Sequence, residues 1–364
     1  MNKKKIGVLY GGKSAEHEVS IQSAVNVVEA INKDKYDLVL IGIDREGRWF
    51  LNKTNNYCDI SEKDLLKFKD SDEEIAVIPG ESSYQLINLA SQEKLDNIDI
   101  VFPVLHGPFG EDGTVQGLLR FVNLPFVGAG VVGSAVGMDK DVMKRLLRDA
   151  DIPVADYIVY NSKDKVNFKE VEQKLGLPVF IKPANLGSSV GVKKINKEDD
   201  FYQAVNYAFQ FDRKIIIEEL IEGREIECSV LGNRNPTASI PGEIQPEDEF
   251  YSYEAKYIDE NGAVLNIPAR LESGLVQKVQ KLAEKTFKVL CCEGMARVDF
   301  FINQEDTVLV NEINTIPGFT RISMYPKLWE ESGISYPKLI DKLIELALQR
   351  YKEEKNLKTS IKLK

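Results

Sequence analysis

Cysteine and histidine are scarce in this chain of 364 residues. The four cysteines stand at positions 58, 228, 291 and 292, and no pair has the spacing of a zinc motif or a disulfide framework. The two histidines, His17 and His106, are far apart in the sequence, so local spacing does not make them a metal pair. These absences argue against a disulfide-stabilised secreted domain and a zinc protein, and they predict a cytoplasmic location.

Excess positive charge and long apolar runs are also missing. The chain has 47 basic and 57 acidic residues, a net charge of −10, so its overall field does not attract nucleic acid or anionic membrane surfaces. An uncharged stretch over residues 121–138 is interrupted by Asn123, Pro125 and four glycines, whereas a membrane helix needs about 20 consecutive apolar residues. We therefore expect neither nucleic acid nor membrane as a partner.

The order of apolar segments predicts an α/β protein of about three domains. In the first, residues 1–127, a strand over 5–10, a Gly-Gly turn and a helix over 19–31 precede strand candidates at 37–43 and 98–105. Alternating strands and helices favour a parallel sheet, whose ligand sites lie beyond the carboxyl ends of the strands. The polar stretch 54–94 has weak periodicity, and we interpret it as an insertion or a hairpin.

Two further units and a tail follow. The central unit, residues 128–221, is predicted to contain helices over 139–150 and 199–209 and strands over 177–182, 189–195 and 214–220. The third unit, residues 222–351, is predicted to contain strands over 225–231, 237–244, 296–302 and 307–311, a polar loop over 245–262, a helix over 272–290 and a terminal helix. Residues 352–364 form a lysine-rich, charged tail.

The densest group of polar residues lies in the two last predicted strands. Side chains alternate along a strand, so Arg297 and Asp299 share one face, and so do Glu312 and Asn314. If the strands pair as a hairpin, Asp299, Glu312 and Asn314 converge as hard oxygen ligands of the kind that Mg²⁺ binds together with phosphate oxygens and water. The alternative is a solvated sheet face, against which the surrounding apolar runs argue.

A second motif combines a lysine with a glycine-rich loop. Lys182 ends a buried strand candidate, and the loop that follows, Pro-Ala-Asn-Leu-Gly-Ser-Ser-Val-Gly, would let backbone N–H groups approach an anion such as phosphate. The lysine precedes the glycines, so the motif is not a Walker A loop. A surface hairpin with an ordinary lysine remains the alternative.

Two other segments give weaker signals. The crossing segment 215–225 could offer backbone groups to an adenine and a carboxylate to a ribose, although Glu-Glu runs usually lie in solvent. The loop over residues 11–20 lacks the third glycine of a dinucleotide loop, so we reject NAD binding. Within it, Glu16 could be a helix cap or a site residue, and His17 is interpreted as a surface residue. His106 follows a buried strand, where function is more frequent.

Taken together, these motifs resemble those of the D-alanine–D-alanine ligases, a family of the ATP-grasp superfamily. The matching segments occur in the family's order and span residues 4–350: 11–20, 106–113, 138–140, 182–191, 253–257 and 297–318. The resemblance implies an ATP-grasp fold with an amino-terminal parallel-sheet α/β domain, a small central α+β domain and a carboxy-terminal α+β domain. It implies ATP-dependent ligation of two D-alanines through an acyl phosphate, for peptidoglycan synthesis.

The resemblance also implies roles for individual residues. Lys140 and Lys182 would bind ATP phosphates, and Asp299, Glu312 and Asn314 would bind two Mg²⁺ ions, with Mn²⁺ as a substitute. The other residues implied to contact the nucleotide are Glu218, Glu219, Ile221, Glu225 and Lys256, of which Glu219 and Ile221 would meet the adenine and Glu225 the ribose.

The remaining implied roles concern the amino-acid substrates. Glu16 would bind the ammonium group of the first D-alanine, with His106 near that end. Arg297 and the backbone N–H of Gly318 would stabilise the oxyanion. Ser323 would bind the carboxylate of the second D-alanine, and Met324 would form an apolar wall beside it. Tyr257, through Ser188 and Glu16, would close the loop over the site.

Three questions stay open at this point. Relatives that make D-alanyl-D-lactate resemble the chain but have a histidine in the loop that holds Tyr257, so tyrosine favours an amine nucleophile. A D-alanyl-D-serine or another carboxylate–amine ligase is the nearest alternative, and a nucleotide-binding regulatory module is the alternative from another class. Family resemblance also implies a homodimer.

Overall fold

The computed structural model describes residues 3–53, 58–60, 66–68, 71, 73–80, 85–246 and 263–358. Its regular structure consists of three β-sheets with flanking helices and one small two-stranded hairpin. The predicted residues Lys256 and Tyr257, most of the loop 245–262 and the end of the charged tail lie outside the described residues.

A six-stranded mixed sheet forms the amino-terminal part. Strand β1 runs parallel to β2 and β8, as the sequence predicts, and the other pairs in the sheet are antiparallel, in the order β7-β6-β3-β2-β1-β8. Both faces are covered, because Ile6, Val8 and Tyr10 belong to one apolar cluster and Leu9 to another. The elements are β1 (Lys4–Gly11), α1 (His17–Ala30), β2 (Tyr36–Ile43), β3 (Trp49–Asn52), β4 (Cys58–Ile60), β5 (Leu66–Phe68), β6 (Glu74–Val77), β7 (Leu86–Asn88), β8 (Ile100–Val104) and α2 (Thr114–Phe121).

A four-stranded antiparallel sheet forms the central part. Its strand order is β11-β10-β12-β9, and the rings of Phe168 and Phe201 meet edge to face beneath it, with centroids 5.2 Å apart. In chain order, the elements over this stretch are α3 (Val131–Met138), α4 (Lys140–Asp149), β9 (Tyr157–Asn161), α5 (Phe168–Leu175), β10 (Val179–Pro183), β11 (Lys193–Ile195), α6 (Glu198–Ala208) and β12 (Lys214–Glu219). The buried apolar side chains of α4 belong to the core of the carboxy-terminal sheet.

A second six-stranded sheet, antiparallel throughout, forms the carboxy-terminal part. Strand β13 pairs with β17 over ten residues, and β17 pairs with β18. Helix α7 covers one face, because Val279, Ala283 and Phe287 recur at helical spacing and are buried. The elements are β13 (Gly223–Gly232), β14 (Thr237–Ala238), β15 (Gly242–Pro246), β16 (Ala263–Asn266), α7 (Ser273–Val289), β17 (Gly294–Asn303), β18 (Val308–Asn314), α8 (Met324–Glu331) and α9 (Tyr336–Lys355).

The largest apolar cluster joins the two ends of the chain. It combines side chains of β1, α1 and β8 with side chains of α8 and α9, including Trp329, Leu339 and Leu343. The buried guanidinium of Arg350 in α9 donates hydrogen bonds to the carbonyl oxygens of Phe126 (2.7 Å) and Gly128 (2.5 Å). The last helix is therefore part of the packing around the first sheet.

The prediction missed helices α2, α5 and α8 and strands β3, β6, β7 and β9, and three details of the predicted elements are wrong. The predicted strand over 189–195 is a strand only from Lys193, because Ser188, Ser189 and Gly191 have positive φ values that a strand does not allow. The predicted strand over 237–244 is divided into β14 and β15. The segment before the helix predicted at 139–150 forms a helix of its own, α3, which Asp139 separates from α4.

Candidate active site

Strands β17 and β18 bring the predicted polar residues together on one face of the sheet. In the antiparallel register Arg297 lies opposite Asn314 and Asp299 lies opposite Glu312. The amide of Asn314 donates a hydrogen bond to Oδ2 of Asp299 at 3.0 Å. A β-bulge follows the Asp299–Glu312 pair, so Asn311 and Glu312 both line the cleft. The prediction did not include Asn311, because it assumed that side chains alternate regularly between the two faces of a strand, and a bulge interrupts this alternation.

These side chains form a donor set of the hard-oxygen type. Two carboxylates and one amide oxygen suit Mg²⁺, which usually takes only one or two protein carboxylates and completes its shell with phosphate oxygens and water. Within the described ranges, no group of three or more His, Cys, Asp and Glu side chains is arranged to hold a metal ion by itself. The residues therefore fit a metal that is shared with a phosphate ligand.

Arg297 is held by two carboxylates. Its Nε and Nη2 donate to Oδ1 and Oδ2 of Asp299, both at 2.7 Å. Its Nε also lies 2.9 Å from Oε2 of Glu227, a buried residue of the adjacent strand β13. The sequence prediction missed Glu227, because the sequence alone does not reveal which strand pairs with the second edge of β17.

Glu16 lies at the other wall of the same cleft. Its backbone N–H donates to Oγ of Ser14 at 3.1 Å, and the hydroxyl of Ser188 donates to its carboxylate. Gly107 packs on this carboxylate with φ of +71°, and a Cβ atom there would lie 2.5 Å from Oε2 of Glu16. Another residue at position 107 would be strained by the positive φ and would displace the Glu16 carboxylate. Glu16 and Ser188, predicted from distant motifs, are in direct contact.

His106 and Glu111 connect the first sheet to the loop after β18. Nδ1 of His106 contacts the carbonyl oxygen of Ile316 at 3.0 Å, and Nε2 contacts Oγ of Ser23 at 3.2 Å. The carboxylate of Glu111 accepts the N–H groups of Gly107 (2.9 Å) and Ile316 (2.8 Å). The His106 ring is thus occupied by structural contacts, and it lines a pocket next to the main cleft rather than the cleft itself.

Desolvation shifts the pKa values of both His106 and Glu111. Desolvation lowers the pKa of His106, which favours the neutral ring. Desolvation, aided by the charge of Glu16, raises the pKa of Glu111 to about 8, although its two N–H donors act in the opposite direction. The prediction included the segment that contains Glu111 but gave the residue no role, since its burial is not visible in the sequence.

A cleft of about 570 Å³ between the central and carboxy-terminal sheets holds the predicted nucleotide residues. The residues of that prediction which line it are Lys140, Lys182, Glu218, Glu219, Ile221 and Glu225. Nζ of Lys140 donates to the carbonyl oxygen of Leu186 at 2.6 Å and lies 3.7 Å from Oε2 of Glu312. The cleft therefore has cations at the end that meets the hard-oxygen donor set.

A buried charge network lies at the wall of this cleft. Glu218 contacts Nζ of Lys144 at 2.8 Å and Nζ of Lys182 at 2.5 Å. Burial opposes the ionised form of Glu218, but the two ammonium groups outweigh it and lower its pKa to about 2. Lys144, only 1% exposed in its side chain, was not predicted. Glu219 accepts the N–H of Asp156 at 2.8 Å.

The loop after β18 and the start of α8 complete the cleft. Oγ of Ser323 accepts the N–H of Thr320 at 3.0 Å and contacts its hydroxyl at 2.7 Å. Gly318 lies against Ser323, whose Oγ would be 2.7 Å from a Cβ atom at position 318. Met324 is buried and packs with Ile244 and Leu328. Gly318, Ser323 and Met324 therefore line one region of the cleft.

One histidine interpretation is wrong. His17 is buried rather than at the surface, and its Nδ1 contacts the carbonyl oxygen of Gly12 at 2.6 Å. It starts α1 directly behind the glycine turn, so the fold encloses it. Across the described part of the chain, no helix combines the length and the apolar character needed to cross a membrane.

Comparison with known proteins covers nearly the whole chain. A family model described as "D-ala D-ala ligase N-terminus" matches residues 5–129, and one described as "D-ala D-ala ligase C-terminus" matches residues 146–345. A curated D-alanine–D-alanine ligase of Oceanobacillus iheyensis is 56% identical over 362 residues, which are 98% of this chain and 99% of that protein.

Solved structures with the same fold include three informative ones. The D-alanine–D-alanine ligase of Coxiella burnetii has a TM-score of 0.85 at 40% identity and covers 98% of this chain and 97% of its own. The VanG D-Ala:D-Ser ligase of Enterococcus faecalis has a TM-score of 0.83 at 34% identity, covering 95% and 100%. The D-alanine–D-alanine ligase of Bacillus anthracis complexed with ATP has a TM-score of 0.74 at 31% identity, covering 97% and 100%.

Proposed function

The chain belongs to the D-alanine–D-alanine ligase family and has its ATP-grasp fold, and from that premise we infer what the cleft does. The protein is an ATP-dependent ligase that joins two D-alanines to D-alanyl-D-alanine for peptidoglycan synthesis. The observation that carries this conclusion is the group on β17 and β18, where Arg297, Asp299, Glu312 and Asn314 share one face at the end of the nucleotide cleft.

The chemistry requires activation of a carboxylate. A carboxylate oxygen is a poor leaving group, so transfer of the γ-phosphoryl group of ATP to the first D-alanine forms an acyl phosphate. The amine of the second D-alanine then attacks the carbonyl carbon, and phosphate leaves. Phosphoryl transfer depends mainly on positioning and on charge neutralisation, which explains why lysines and carboxylates line this cleft.

The nucleotide would lie between the central and carboxy-terminal sheets. Lys140 and Lys182 would hold its phosphates, while Glu219 and Ile221 would contact the adenine and Glu225 the ribose. Mg²⁺, bound by Asp299, Glu312 and Asn314, would neutralise developing negative charge on the phosphates. Glu218 would act with Lys182, to which it is paired, and Lys256 would approach the phosphates from the loop outside the described residues.

The amino-acid substrates would lie in the neighbouring part of the cleft. Glu16 would bind the first ammonium group, with His106 behind it. Arg297 and the N–H of Gly318 would stabilise the oxyanion, and Ser323 would bind the second carboxylate. Closure by Tyr257 through Ser188 and Glu16 would exclude water, which would otherwise hydrolyse the acyl phosphate. Support for the pairing of Ser188 with Glu16 comes from their hydrogen bond.

Members of this fold differ in the second substrate, which can be D-alanine or D-serine. The VanG structure shows that a D-Ala:D-Ser ligase has nearly the same fold, so the fold does not select D-alanine over D-serine. The buried Met324 provides an apolar neighbour for a methyl group. An apolar pocket rejects an added hydroxyl by only about 10²-fold, so we propose D-alanine as the preferred nucleophile with residual use of D-serine.

Two further properties complete the proposal. The protein would work in the cytoplasm, where ATP is available, and would form a homodimer. Gel filtration with light scattering measures the subunit number directly, and a monomer at the concentration of the activity assay would reject the dimer.

Phosphate release measured with D-alanine alone, and then with D-serine added, tests the function. We expect ATP- and Mg²⁺-dependent phosphate release with D-alanine alone and D-alanyl-D-alanine as the product detected by mass spectrometry. L-Alanine is the control substrate and should give no dipeptide. No turnover on D-alanine alone would reject the proposed function, and a predominance of the mixed dipeptide in equal mixtures would favour the D-serine alternative.

A further inference from the structure

Three carboxylates form a row across the sheet at the catalytic end of the cleft. Glu227 on β13 lies opposite Asp299 on β17, which lies opposite Glu312 on β18. In the next row Ser229, Arg297 and Asn314 are opposite one another. Cross-strand neighbours share a face, so Arg297 is flanked by carboxylates from its own strand and from β13. Family resemblance assigns no role to Glu227.

Asp299 would have two roles that compete, as the hydrogen-bond acceptor of Arg297 and as a ligand of Mg²⁺. It accepts both hydrogen bonds of the Arg297 guanidinium and a third from Asn314. Under the proposed function the same carboxylate binds Mg²⁺, and oxygens that coordinate a metal are weaker acceptors for a cation. The two hydrogen bonds that join Arg297 to Asp299 would then weaken at the stage when the oxyanion forms. A guanidinium that is held less firmly can change rotamer, and a different rotamer would displace it from the reacting carbon.

Glu227 is placed to resolve this conflict. Its Oε2 lies 2.9 Å from Nε of Arg297, while the hydrogen bond of Nε is directed to Asp299. Because Glu227 is already at hydrogen-bonding distance, a rotation of the guanidinium could redirect Nε–H to it. The carboxylate is buried at 7% exposure and lines the same cleft, so its attraction to Arg297 is weakly screened by solvent.

We propose that Glu227 is a positioning residue, which keeps the Arg297 guanidinium directed at the reacting carbonyl when Asp299 binds Mg²⁺. The inference rests on the proposed function, because it concerns the same reaction. Glu227 does not contact the substrate in this role. It acts through Arg297, and its effect belongs to the transition state rather than to the binding of ATP or D-alanine.

A double-mutant cycle tests the dependence on Arg297. We expect Arg297→Ala to lower kcat by about 10²- to 10³-fold, the usual result of losing one oxyanion donor. Glu227→Gln in the native background should lower kcat by roughly 10- to 100-fold, the range seen when a positioning partner is removed. In the Arg297→Ala background, Glu227→Gln should lower kcat by no more than about twofold.

Binding measurements separate positioning from a general structural effect. In Glu227→Gln, the dissociation constant of a non-hydrolysable ATP analogue with Mg²⁺, measured by calorimetry, should stay within about twofold of the native value, as should the KM of D-alanine. Glu227→Asp, which keeps the charge, should recover part of the lost kcat. Glu284→Gln is the matched control on α7, because that carboxylate accepts the N–H of Ala238 at 3.2 Å away from the cleft.

Each outcome decides the proposal. Equal losses from Glu227→Gln in the two backgrounds, or a change in nucleotide affinity equal to the change in kcat, would reject it. If Glu227→Gln does not fold, the same cycle with Glu227→Asp decides, because the shorter side chain should still lower kcat only when Arg297 is present. Absence of ligation by the native chain would reject the proposed function itself, whereas native ligation with additive losses would reject Glu227 alone.

Discussion

Glu111 shows how much a single partly buried, desolvated carboxyl group can influence this protein. Both of its oxygens accept backbone N–H groups, one from the loop after β8 and one from the loop after β18. Burial nevertheless raises its pKa from 4.5 to about 8. The residue therefore links a change of protonation to the contact between the first and third sheets.

The pH dependence of stability should reveal this residue. The folded state holds the Glu111 proton up to about pH 8, whereas the unfolded state releases it near 4.5, so the free energy of unfolding should fall as pH rises through this window. Each tenfold difference in proton affinity corresponds to about 1.4 kcal/mol. Urea unfolding at pH 5, 6, 7 and 8 should show a flatter decline in Glu111→Gln than in the native chain.

The exposed Glu29 on α1 provides the control for that experiment. Glu29→Gln should retain the native slope, since its side chain is 59% exposed. A glutamine side chain at position 111 cannot accept both N–H groups, so Glu111→Gln should also be less stable at every pH. Parallel pH curves for the native chain and Glu111→Gln would contradict the raised pKa.

Residue patterns predicted which side chains share a face in one part of the candidate site, and they missed the grouping in another part. Alternation along strands placed Arg297 with Asp299 and Glu312 with Asn314, because these pairs are two positions apart and local geometry decides their face. Glu227, Lys144 and Glu111 were missed, because their importance depends on burial and on partners from other elements. Spacing along the chain does not encode such contacts.

Asp139, the residue immediately before helix α4, makes two structural contacts. The side chain of Asp139 accepts the N–H of Val142 at 3.1 Å, which caps the helix, and it contacts Nζ of Lys214 at 2.6 Å. The next residue, Lys140, enters the nucleotide cleft. The cap therefore fixes the direction in which a proposed phosphate-binding lysine leaves the helix.

Removal of this cap should change both stability and nucleotide binding. Asp139→Ala should lower the free energy of unfolding by about 1 to 2 kcal/mol and raise the dissociation constant of ATP at least about threefold, while Asp139→Asn should retain most of the capping. Urea unfolding and calorimetry measure the two effects. Asn167, which caps α5 through the N–H of Lys169 at 3.0 Å, is the control: Asn167→Ala should affect stability alone. Equal ATP affinity in Asp139→Ala and Asn167→Ala would contradict the expected coupling.

At the scale of elements, the sequence predicted many of the helices and strands but missed others, among them α2, α5, α8, β3 and β9, and it did not place all the ends correctly. The strand–glycine–helix order at the start correctly indicated parallel neighbours for β1, because β-branched runs and a Gly-Gly turn act locally. Residues 189–192 were predicted as the beginning of a strand, since Ser, Val and Gly are compatible with one. Ser188, Ser189 and Gly191 instead have positive φ values in a loop where Ser188 bonds to Glu16 and Gly191 lies close to Pro183, and only the tertiary structure supplies these contacts.

Polar long-range contacts supplement the apolar cluster that joins the first sheet to the last helices. Arg350 is the clearest example, since its guanidinium binds the carbonyl oxygens of Phe126 and Gly128 and lies over the Phe126 ring at 4.6 Å. Burial lowers its pKa, with Glu293 as the partner that opposes this shift. The contact connects the last helix to the segment that leaves the first sheet.

Arg350→Met should weaken this connection without changing the shape of the helix. Each hydrogen bond to a charged group contributes about 1.5 to 3 kcal/mol, so we expect the free energy of unfolding to fall by at least about 2 kcal/mol. Arg234→Met is the control, because Arg234 is exposed and pairs with Glu353 on the same helix. A loss as small as that of the control would show that the two carbonyl groups do not depend on Arg350.

Some properties of the whole molecule could be predicted from the sequence, and others could not. Composition correctly indicated a folded globular protein, because the apolar and charged fractions are sums over the sequence. Which sheets share a core was not predictable, because no local pattern marks a contact between residues hundreds of positions apart.

Because β1 and α9 belong to one apolar cluster, the packing around the first sheet cannot be completed during translation before α9 is synthesised. The first strand leaves the ribosome more than 300 residues before the helix Tyr336–Lys355 that packs against its layer. The nascent chain must therefore carry an uncovered apolar surface until α9 has been synthesised, and a chaperone that shields this surface would protect it from aggregation.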